Sequence, residues 1–496
     1  MVRALWASTI LVMGAYLVLW GTLGNLPFLD FPNHLARAVV MADVLFDHGS
    51  RFGHAFTVKL SPSTYVLGDL GLAAMVKAIG PNYAGAVWTA LVFVSVPVSF
   101  AYLARSLRLS PLAGATALLI GCYLGSGWFF LAGFFSFQIG FALSLIVAGN
   151  LFKQSDSPSW ERLTTIIVVT ALGYFIHITA VLFVCVMSAV VAISYPAPLR
   201  QRAIASGAPL LFASALLIWG LLDPSAATHG GSDWGTTTSK ILRLVSPIVR
   251  FELRPEIVCA LPLAFLGYLG FRQRRRSWAD SRTRLCAVMV GVFLAMYCVL
   301  PVSQGHGYDV DIRALAPMYA AIALLILIAI DLSPRPLQVS AWAVGVYLAL
   351  SNLWFLHHEL LPLDRTIGLY RSLLKVVPER SSLLPVCAVP NIGRHQAFLH
   401  AGSWATIDRG ATTPYLFSGS TGDAMSYFRY AHTPQAPSIF WATRPGHLPP
   451  DCVQVGSDFD YVAVIGKIDF ACARFVKVAS SKDGKISILQ NGAFTP

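Results

Sequence analysis

The sequence is poor in charged residues. Only 12% of its 496 residues are Asp, Glu, Lys or Arg, and 56% are hydrophobic. Soluble domains carry about 25% charged residues, so this composition excludes an ordinary soluble fold. The eight cysteines form no C-x-x-C pair and no zinc spacing. Nucleic-acid motifs and basic patches interleaved with aromatic residues are also missing, so the net charge of +12 does not indicate a nucleic-acid partner.

Long apolar runs separated by short polar loops are what the sequence does contain. They predict a polytopic α-helical membrane bundle of about eleven spans. The first run follows a single early Arg and precedes no A-x-A-like cleavage site, so we interpret it as an uncleaved span. The predicted spans are 4–22, 84–104, 111–131, 138–152, 163–176, 179–195, 207–222, 257–271, 285–302, 314–331 and 338–355.

Basic residues assign the topology. With the N-terminus inside, every inside loop contains Lys or Arg, as the positive-inside rule requires. These residues are Arg105, Arg108, Lys153, Arg162, Arg200, Arg202, Arg335 and the six arginines between 272 and 284. The segments 23–83, 223–256, 303–313 and everything after about 356 then lie outside, so any chemistry is expected on that side.

One hydrophobic segment, "LTTIIVVTALGYFIHITAVLFVCVMSAVVAI", is short for two spans and long for one. A single crossing would place the Arg-rich loop at 272–284 outside, against the charge rule. We therefore predict two short helices that break near His177. A broken helix is tolerated where it lines a cavity, so His177 is either a packing residue or a ligand of a bound phosphate.

The most polar stretch of the first hundred residues, "FLDFPNHLARAVVMADVLFDHG", follows the first span. On a helix at 100° per residue, Asp30, His34 and Arg37 fall within an arc of roughly 60°. A carboxylate, an imidazole and a guanidinium on one face at the mouth of a span indicate a site. Two simpler interpretations remain: Asp30 could cap a helix that has Pro32 in its first turn, and Arg37 could anchor lipid phosphates.

At these residues the sequence resembles the GT-C superfamily of integral-membrane glycosyltransferases, which includes protein mannosyltransferases and aminoarabinose transferases. The resemblance rests on an acidic residue just past the first span, two interfacial helices in the loop 23–83, the segment "SPSTYVLG" and the segment "YLARSL". It covers most of the chain, with a catalytic membrane region at 1–355 and an outer domain at 356–496.

The resemblance implies transfer of a sugar from a polyprenyl-phosphate donor to a cell-envelope glycan or glycolipid on the outer side of the membrane. Asp30 matches the family's acidic loop residue, which acts as general base or orients the acceptor hydroxyl, and His34 could share that role. Many members have a second acid beside the first, but here Phe31 and Pro32 follow. A divalent metal is therefore possible without being required, and no residue is assigned as a metal ligand.

Such a transfer also needs a positive charge near the departing phosphate. The candidates are Arg37, His177, His306 and Arg313, the last two in the outer loop "PVSQGHGYDVDIRALAP". Guanidinium suits phosphate geometry, although Arg313 could instead be a membrane anchor paired with Asp309 or Asp311. The two acids could also hold a metal.

Composition changes after residue 355. An amphipathic segment and the short β-rich runs "PSIFWAT", "YVAVIG", "FVKVAS" and "KISILQ" predict a small extracytoplasmic (periplasmic) α/β domain. A Cys452–Cys472 disulfide is possible there, with Cys387 as a competitor. The sequence thus predicts a glycosyltransferase of a bacterial inner (plasma) membrane, in contact with membrane lipid. The alternatives are a flippase of lipid-linked saccharide and a non-catalytic scaffold of an envelope complex.

Overall fold

The computed structural model describes most of the chain. The described residues are 2–47, 50–195, 198–222, 231–272, 280–304, 309–387, 395–417, 427–431, 452–466, 470 and 472–494. Contacts divide them into two compact units. Unit 1 comprises 1–19, 63–67 and 89–356, and unit 2 comprises 20–62, 68–88 and 357–496.

Helices dominate the described residues. In chain order they are α1 (Val2–Thr22), α2 (Phe31–Phe46), α3 (Val66–Ile79), α4 (Pro81–Ser106), α5 (Pro111–Gly125), α6 (Trp128–Leu131), α7 (Phe135–Asp156), α8 (Trp160–Ile176), α9 (Ile178–Ser194), α10 (Leu199–Leu222), α11 (Thr237–Arg243), α12 (Leu253–Arg272), α13 (Ser281–Val299), α14 (Leu315–Asp331), α15 (Arg335–Leu373), α16 (Ser403–Arg409) and α17 (Cys452–Asp458).

The helical character of the membrane region is confirmed, and each predicted span except 111–131 lies largely within a single helix. Within the described ranges, seven helices are long and apolar enough to cross a membrane: α1, α4, α7, α10, α13, α14 and α15. The stretch 111–131 is not one continuous helix, because Ser126 and Gly127 separate α5 from α6. The chain is an integral membrane protein, and eleven crossings remain a prediction.

The break at His177 is present. His177 has an extended backbone between α8 and α9, and its Nδ1 accepts a hydrogen bond from the backbone N–H of Thr179 at 3.2 Å. One side chain therefore ends one helix and caps the next, since the first backbone N–H groups of a helix need an acceptor.

Close helix packing holds unit 1 together. Helix α7 packs on α8 and α9, α9 packs on α10, and α13 packs on α14. A Cβ atom at Gly121 of α5 would lie 2.5 Å from the Cα of Pro97, so α4 and α5 approach too closely for any larger residue. Small residues at such crossings are typical of membrane helices.

Unit 2 contains two sheets. Strand β1 (Phe56–Val58) pairs antiparallel with β5 (Phe428–Tyr430), and Phe56 lies opposite Tyr430. A four-stranded sheet has the order β4 (Leu383–Cys387), β6 (Tyr461–Ile465), β8 (Ile486–Asn491), β7 (Phe475–Ser480). Its core is built from apolar side chains such as Leu384, Val462 and Phe459. In unit 1 a short pair joins β2 (Ser232–Asp233) to β3 (Ser303–Gln304).

The β-rich runs predicted at 461–466, 475–480 and 485–490 form strands, whereas "PSIFWAT" (437–443) lies outside the described residues. The side chain of Cys452 is also outside them, so its disulfide stays a prediction. Most of the loop 23–83 clusters with the C-terminal residues, and the predicted division at residue 355 stays a prediction. Helix α2 packs on β1 and α16, which explains this grouping.

Candidate active site

The carboxylate of Asp30 lies at the start of α2 in unit 2. Pro32 in the first turn favours a helix start at this point. Asp30 occupies the N-cap position, but its side chain makes no capping hydrogen bond; only its backbone carbonyl accepts, from the N–H groups of Asn33 and His34. The interpretation of Asp30 as a helix cap is therefore correct for its position and its backbone, but not for its side chain. Its side chain is 15% exposed, and it is available for another role.

His400 is the partner of that carboxylate. Its Nε2 lies 3.3 Å from Oδ1 of Asp30, and its Nδ1 lies 3.2 Å from the side-chain nitrogen of Asn33. The Asn33 amide is fixed by two backbone groups: its nitrogen donates to the carbonyl of Tyr415 at 2.6 Å, and its oxygen accepts from the N–H of Phe417 at 2.9 Å.

This arrangement determines the tautomer of His400. An amide nitrogen can only donate, so Nδ1 of His400 must accept and carry no proton. The ring proton then sits on Nε2 and faces Asp30. The Nε2–H group of His400 can therefore donate to the carboxylate of Asp30, an orientation suited to a general base.

A second network on α2 contains Arg37, which is fully buried. Its Nε and NH2 donate to the two carboxylate oxygens of Asp69 at 2.7 and 2.8 Å, and the hydroxyl of Tyr427 also donates to Asp69. The bidentate geometry offsets the cost of removing two charges from water. Helix α2 is consequently buried on its polar side as well as on its apolar side.

His34 is oriented by this pair. Its Nδ1 lies 2.8 Å from NH2 of Arg37, which can only donate, so the ring proton of His34 sits on Nε2. The rings of His34 and His400 both contact Phe417, with centroid distances of 5.6 and 4.9 Å. The structure thus brings together Asp30, His34 and Arg37, as the sequence predicts, and adds two residues to them, Asp69 and His400.

Sequence reasoning missed both added residues. Asp69 carried a signal, because a single acid inside the apolar helix α3 requires a buried partner. The sequence gives no indication of a role for His400, since this residue lies 367 residues after Asn33 and in no recognisable motif.

His395 fixes the backbone of the segment that precedes Asp30. Its Nε2 lies 2.7 Å from the backbone oxygen of Pro27, and the side chain is buried. Burial lowers the pKa of His395 to about 4. The neutral imidazole is therefore the form that belongs to the folded state.

This predicts a loss of stability in acid. Between about pH 6.5 and pH 4, His395 is protonated in the unfolded chain, where its pKa has the ordinary value of about 6.5, and neutral in the folded chain. The contribution of His395 to the free energy of unfolding is fully present above this pH window. As the pH falls through the window, it decreases by up to about 1.4 kcal/mol per pH unit. Thermal unfolding in detergent at several pH values measures the effect. The His395→Asn variant should lose part of the acid sensitivity, and an equal pH dependence in both proteins would contradict the assignment.

Unit 1 contains a separate group of predicted residues. Nε2 of His177 lies 3.1 Å from the hydroxyl of Tyr65, and its Nδ1 lies 2.7 Å from the hydroxyl of Thr179. The guanidinium of Arg313 lies over the ring of Phe134 at 5.4 Å and is close enough to His177 to act on it electrostatically. His306 lies outside the described residues.

The acids beside Arg313 pair with a different arginine. NH2 of Arg243 lies 2.8 Å from a carboxylate oxygen of both Asp309 and Asp311, and Nε1 of Trp128 donates to Asp309 at 3.2 Å. The predicted alternative, in which these acids pair with Arg313, is replaced by this bridge.

A divalent metal does not fit the described residues. No group of three or more His, Cys, Asp or Glu side chains among them could hold one. The carboxylate of Asp30 lies beside the imidazole of His400, which in turn contacts the amide of Asn33.

Comparison with known proteins supports the architecture. No family model matches the chain, and no curated protein matches it. Among solved structures, the chain is similar to ArnT from Cupriavidus metallidurans in the apo state, with a TM-score of 0.58 and 11% identity over 97% of each chain. The chain therefore has an ArnT-like fold. At this identity the likeness concerns the fold alone, and activity is a separate question.

Proposed function

We propose that this protein is a GT-C-type membrane glycosyltransferase that transfers a sugar from a polyprenyl-phosphate donor to a glycan or glycolipid acceptor of the cell envelope. The observation that supports it most is the carboxylate of Asp30, which makes no capping hydrogen bond and lies beside His400, whose ring contacts the amide of Asn33. The similarity to ArnT supports the same class at the level of fold.

In the proposed reaction, an acceptor hydroxyl oxygen attacks the anomeric carbon of the donor sugar. The bond from that carbon to the phosphate oxygen breaks, and polyprenyl phosphate leaves with the electron pair. Asp30 takes the proton of the hydroxyl as general base. His34, which lies on the same helix and contacts Arg37 through Nδ1, is proposed to share this acid–base role.

Arg37 acquires a different role from the one predicted. Its guanidinium is buried against Asp69, so we assign it to orienting His34 and not to binding phosphate. Neutralising the departing phosphate stays a prediction for Arg313 and His177 of unit 1, since a cation lowers the barrier where negative charge develops. The outer side of a bacterial inner membrane is the proposed location of the reaction.

A transfer assay tests the proposal. Purified protein in vesicles is supplied with a labelled polyprenyl-phosphate sugar and an envelope lipid extract, and new glycosidic products are separated from the donor. Formation of a product that depends on the protein supports the transferase. Movement of labelled lipid across the vesicle membrane without a new glycosidic bond would overturn it in favour of a flippase.

The role of His400 gives a matched set of variants. His400→Leu removes the group facing Asp30, and we expect the transfer rate to fall by about 10- to 100-fold, less than the loss of about 10²- to 10⁴-fold expected for the group that itself takes the proton. His400→Gln retains an N–H donor and should recover part of that loss. His54→Ala, at an exposed position of the same unit, is the control. Equal rates for the Leu and Gln variants would contradict the assignment.

A further inference from the structure

Helix α11 and the turn before it place apolar side chains outward. Trp234, Ile241 and Leu242 are 54%, 61% and 64% exposed, and no residue of the helix is buried. A helix on the surface of a soluble region has the opposite pattern, with its apolar face inward.

The charged residues of α11 point the other way. Nζ of Lys240 donates to the backbone oxygens of Tyr297, Cys298 and Leu300, at 3.2, 3.1 and 2.6 Å, and so satisfies the last carbonyls of α13. Arg243 bridges Asp309 and Asp311. At 100° per residue these two cations lie about 60° apart, and Ile241 and Leu242 lie about 100° and 200° from Lys240.

The position of α11 is fixed by further bonds. The hydroxyl of Tyr297 donates to the carbonyl of Lys240, and that of Tyr319 donates to the carbonyl of Leu244 at 2.9 Å. The helix is therefore held at the end of α13, an apolar span, where Val299 is 65% exposed. Its exposed apolar side chains therefore lie beside the end of that span.

We propose that residues 234–242 form a membrane-docking surface whose partner is the bilayer at its headgroup–acyl boundary. Inverted polarity suits a helix whose outer neighbour is hydrocarbon and whose inner neighbours are carbonyls and carboxylates. Trp234, an amphipathic ring within 5.9 Å of the Lys240 ammonium, has the character of a residue at the membrane interface. This proposal is independent of the transfer reaction.

Site-directed spin labelling tests it. Leu242→Cys is labelled in a Cys298→Ser background, because Cys298 is also exposed, and the protein is reconstituted in phosphatidylethanolamine–phosphatidylglycerol vesicles. Labelled protein without the added cysteine gives the signal to subtract. Oxygen, which partitions into the bilayer, should relax the label several-fold more effectively than a water-soluble nickel chelate. Val476→Cys, at a 60% exposed position of β7, is the control and should show the reverse preference.

Three results would overturn the proposal. The first is a label at 242 that is as accessible to nickel as the label at 476. The second is a label shielded from both reagents, which would indicate a protein partner or a second copy. The third is a label that changes environment only when polyprenyl phosphate is added, which would indicate the donor chain. If the cysteine variants fail to fold, quenching by brominated-chain lipids that decreases in Trp234→Phe supports the proposal, and unchanged quenching contradicts it.

Discussion

Replacing Asp30 with Asn should lower the transfer rate by about 10²- to 10⁴-fold, the range expected for loss of a general base. The amide has nearly the shape of the carboxylate but cannot accept the proton of the acceptor hydroxyl. The backbone carbonyl of Asp30, which accepts from Asn33 and His34, is unchanged by the substitution. The start of α2 should therefore survive, and the protein should retain its unfolding temperature.

The comparison for this variant is Asp47→Asn. Asp47 lies at the other end of α2, where its carboxylate is 43% exposed and pairs with Lys77. An exposed pair of this kind contributes about 0–1 kcal/mol, so its loss should leave both folding and transfer unchanged. Asp43 is a poorer control, because its carboxylate accepts from the backbone of Phe52 and holds a turn. Transfer by Asp30→Asn at the rate of the unmodified protein would remove Asp30 from the mechanism.

Breaking the Arg37–Asp69 pair should have the largest effect on folding. Asp69→Leu leaves the guanidinium of Arg37 buried without its bidentate partner, and we expect a loss of about 3–5 kcal/mol. For a unit of this size, that corresponds to a fall of roughly 10 °C in the unfolding temperature. Fluorescence-detected thermal unfolding in detergent, or the yield of monodisperse protein after heating, measures it.

The double variant Arg37→Leu/Asp69→Leu separates charge burial from packing. Removing both charges leaves no unpaired ion, so the double variant should be more stable than Asp69→Leu alone. Lys77→Gln, which breaks the exposed pair, should change the unfolding temperature little. A double variant less stable than either single variant would mean that the pair is not the main contribution of these residues.

Helices were the part of this structure that sequence could predict. Apolar runs of span length have few alternatives in a bilayer, because every backbone polar group must be satisfied within the segment. The break at His177 was also predictable, since the run was too short for two ordinary spans and the charges required an even count. No comparable feature of the sequence indicated that 111–131 divides into two helices.

The candidate site was predictable only where it is local. Asp30, His34 and Arg37 lie within two turns of one helix, so periodicity alone places them together. The burial of Arg37 depends on Asp69 and Tyr427, and the pairing of Asp309 and Asp311 depends on Arg243 from a distant loop. Long-range pairs of this kind produce no periodic pattern in the sequence. For a single residue such as His400, the sequence does not indicate which residues it contacts.

The contact between Asn33 and His400 joins chain positions 367 residues apart. The ribosome releases the first of them long before the second, and nearly all the hydrophobic helices are made in between. Until the final third of the polypeptide has been synthesised and delivered to the same side of the membrane, the Asp30 carboxylate has no imidazole beside it. The proposed enzyme is therefore inactive while it is being synthesised and inserted. A chain truncated before residue 400 should insert into the membrane without acquiring activity.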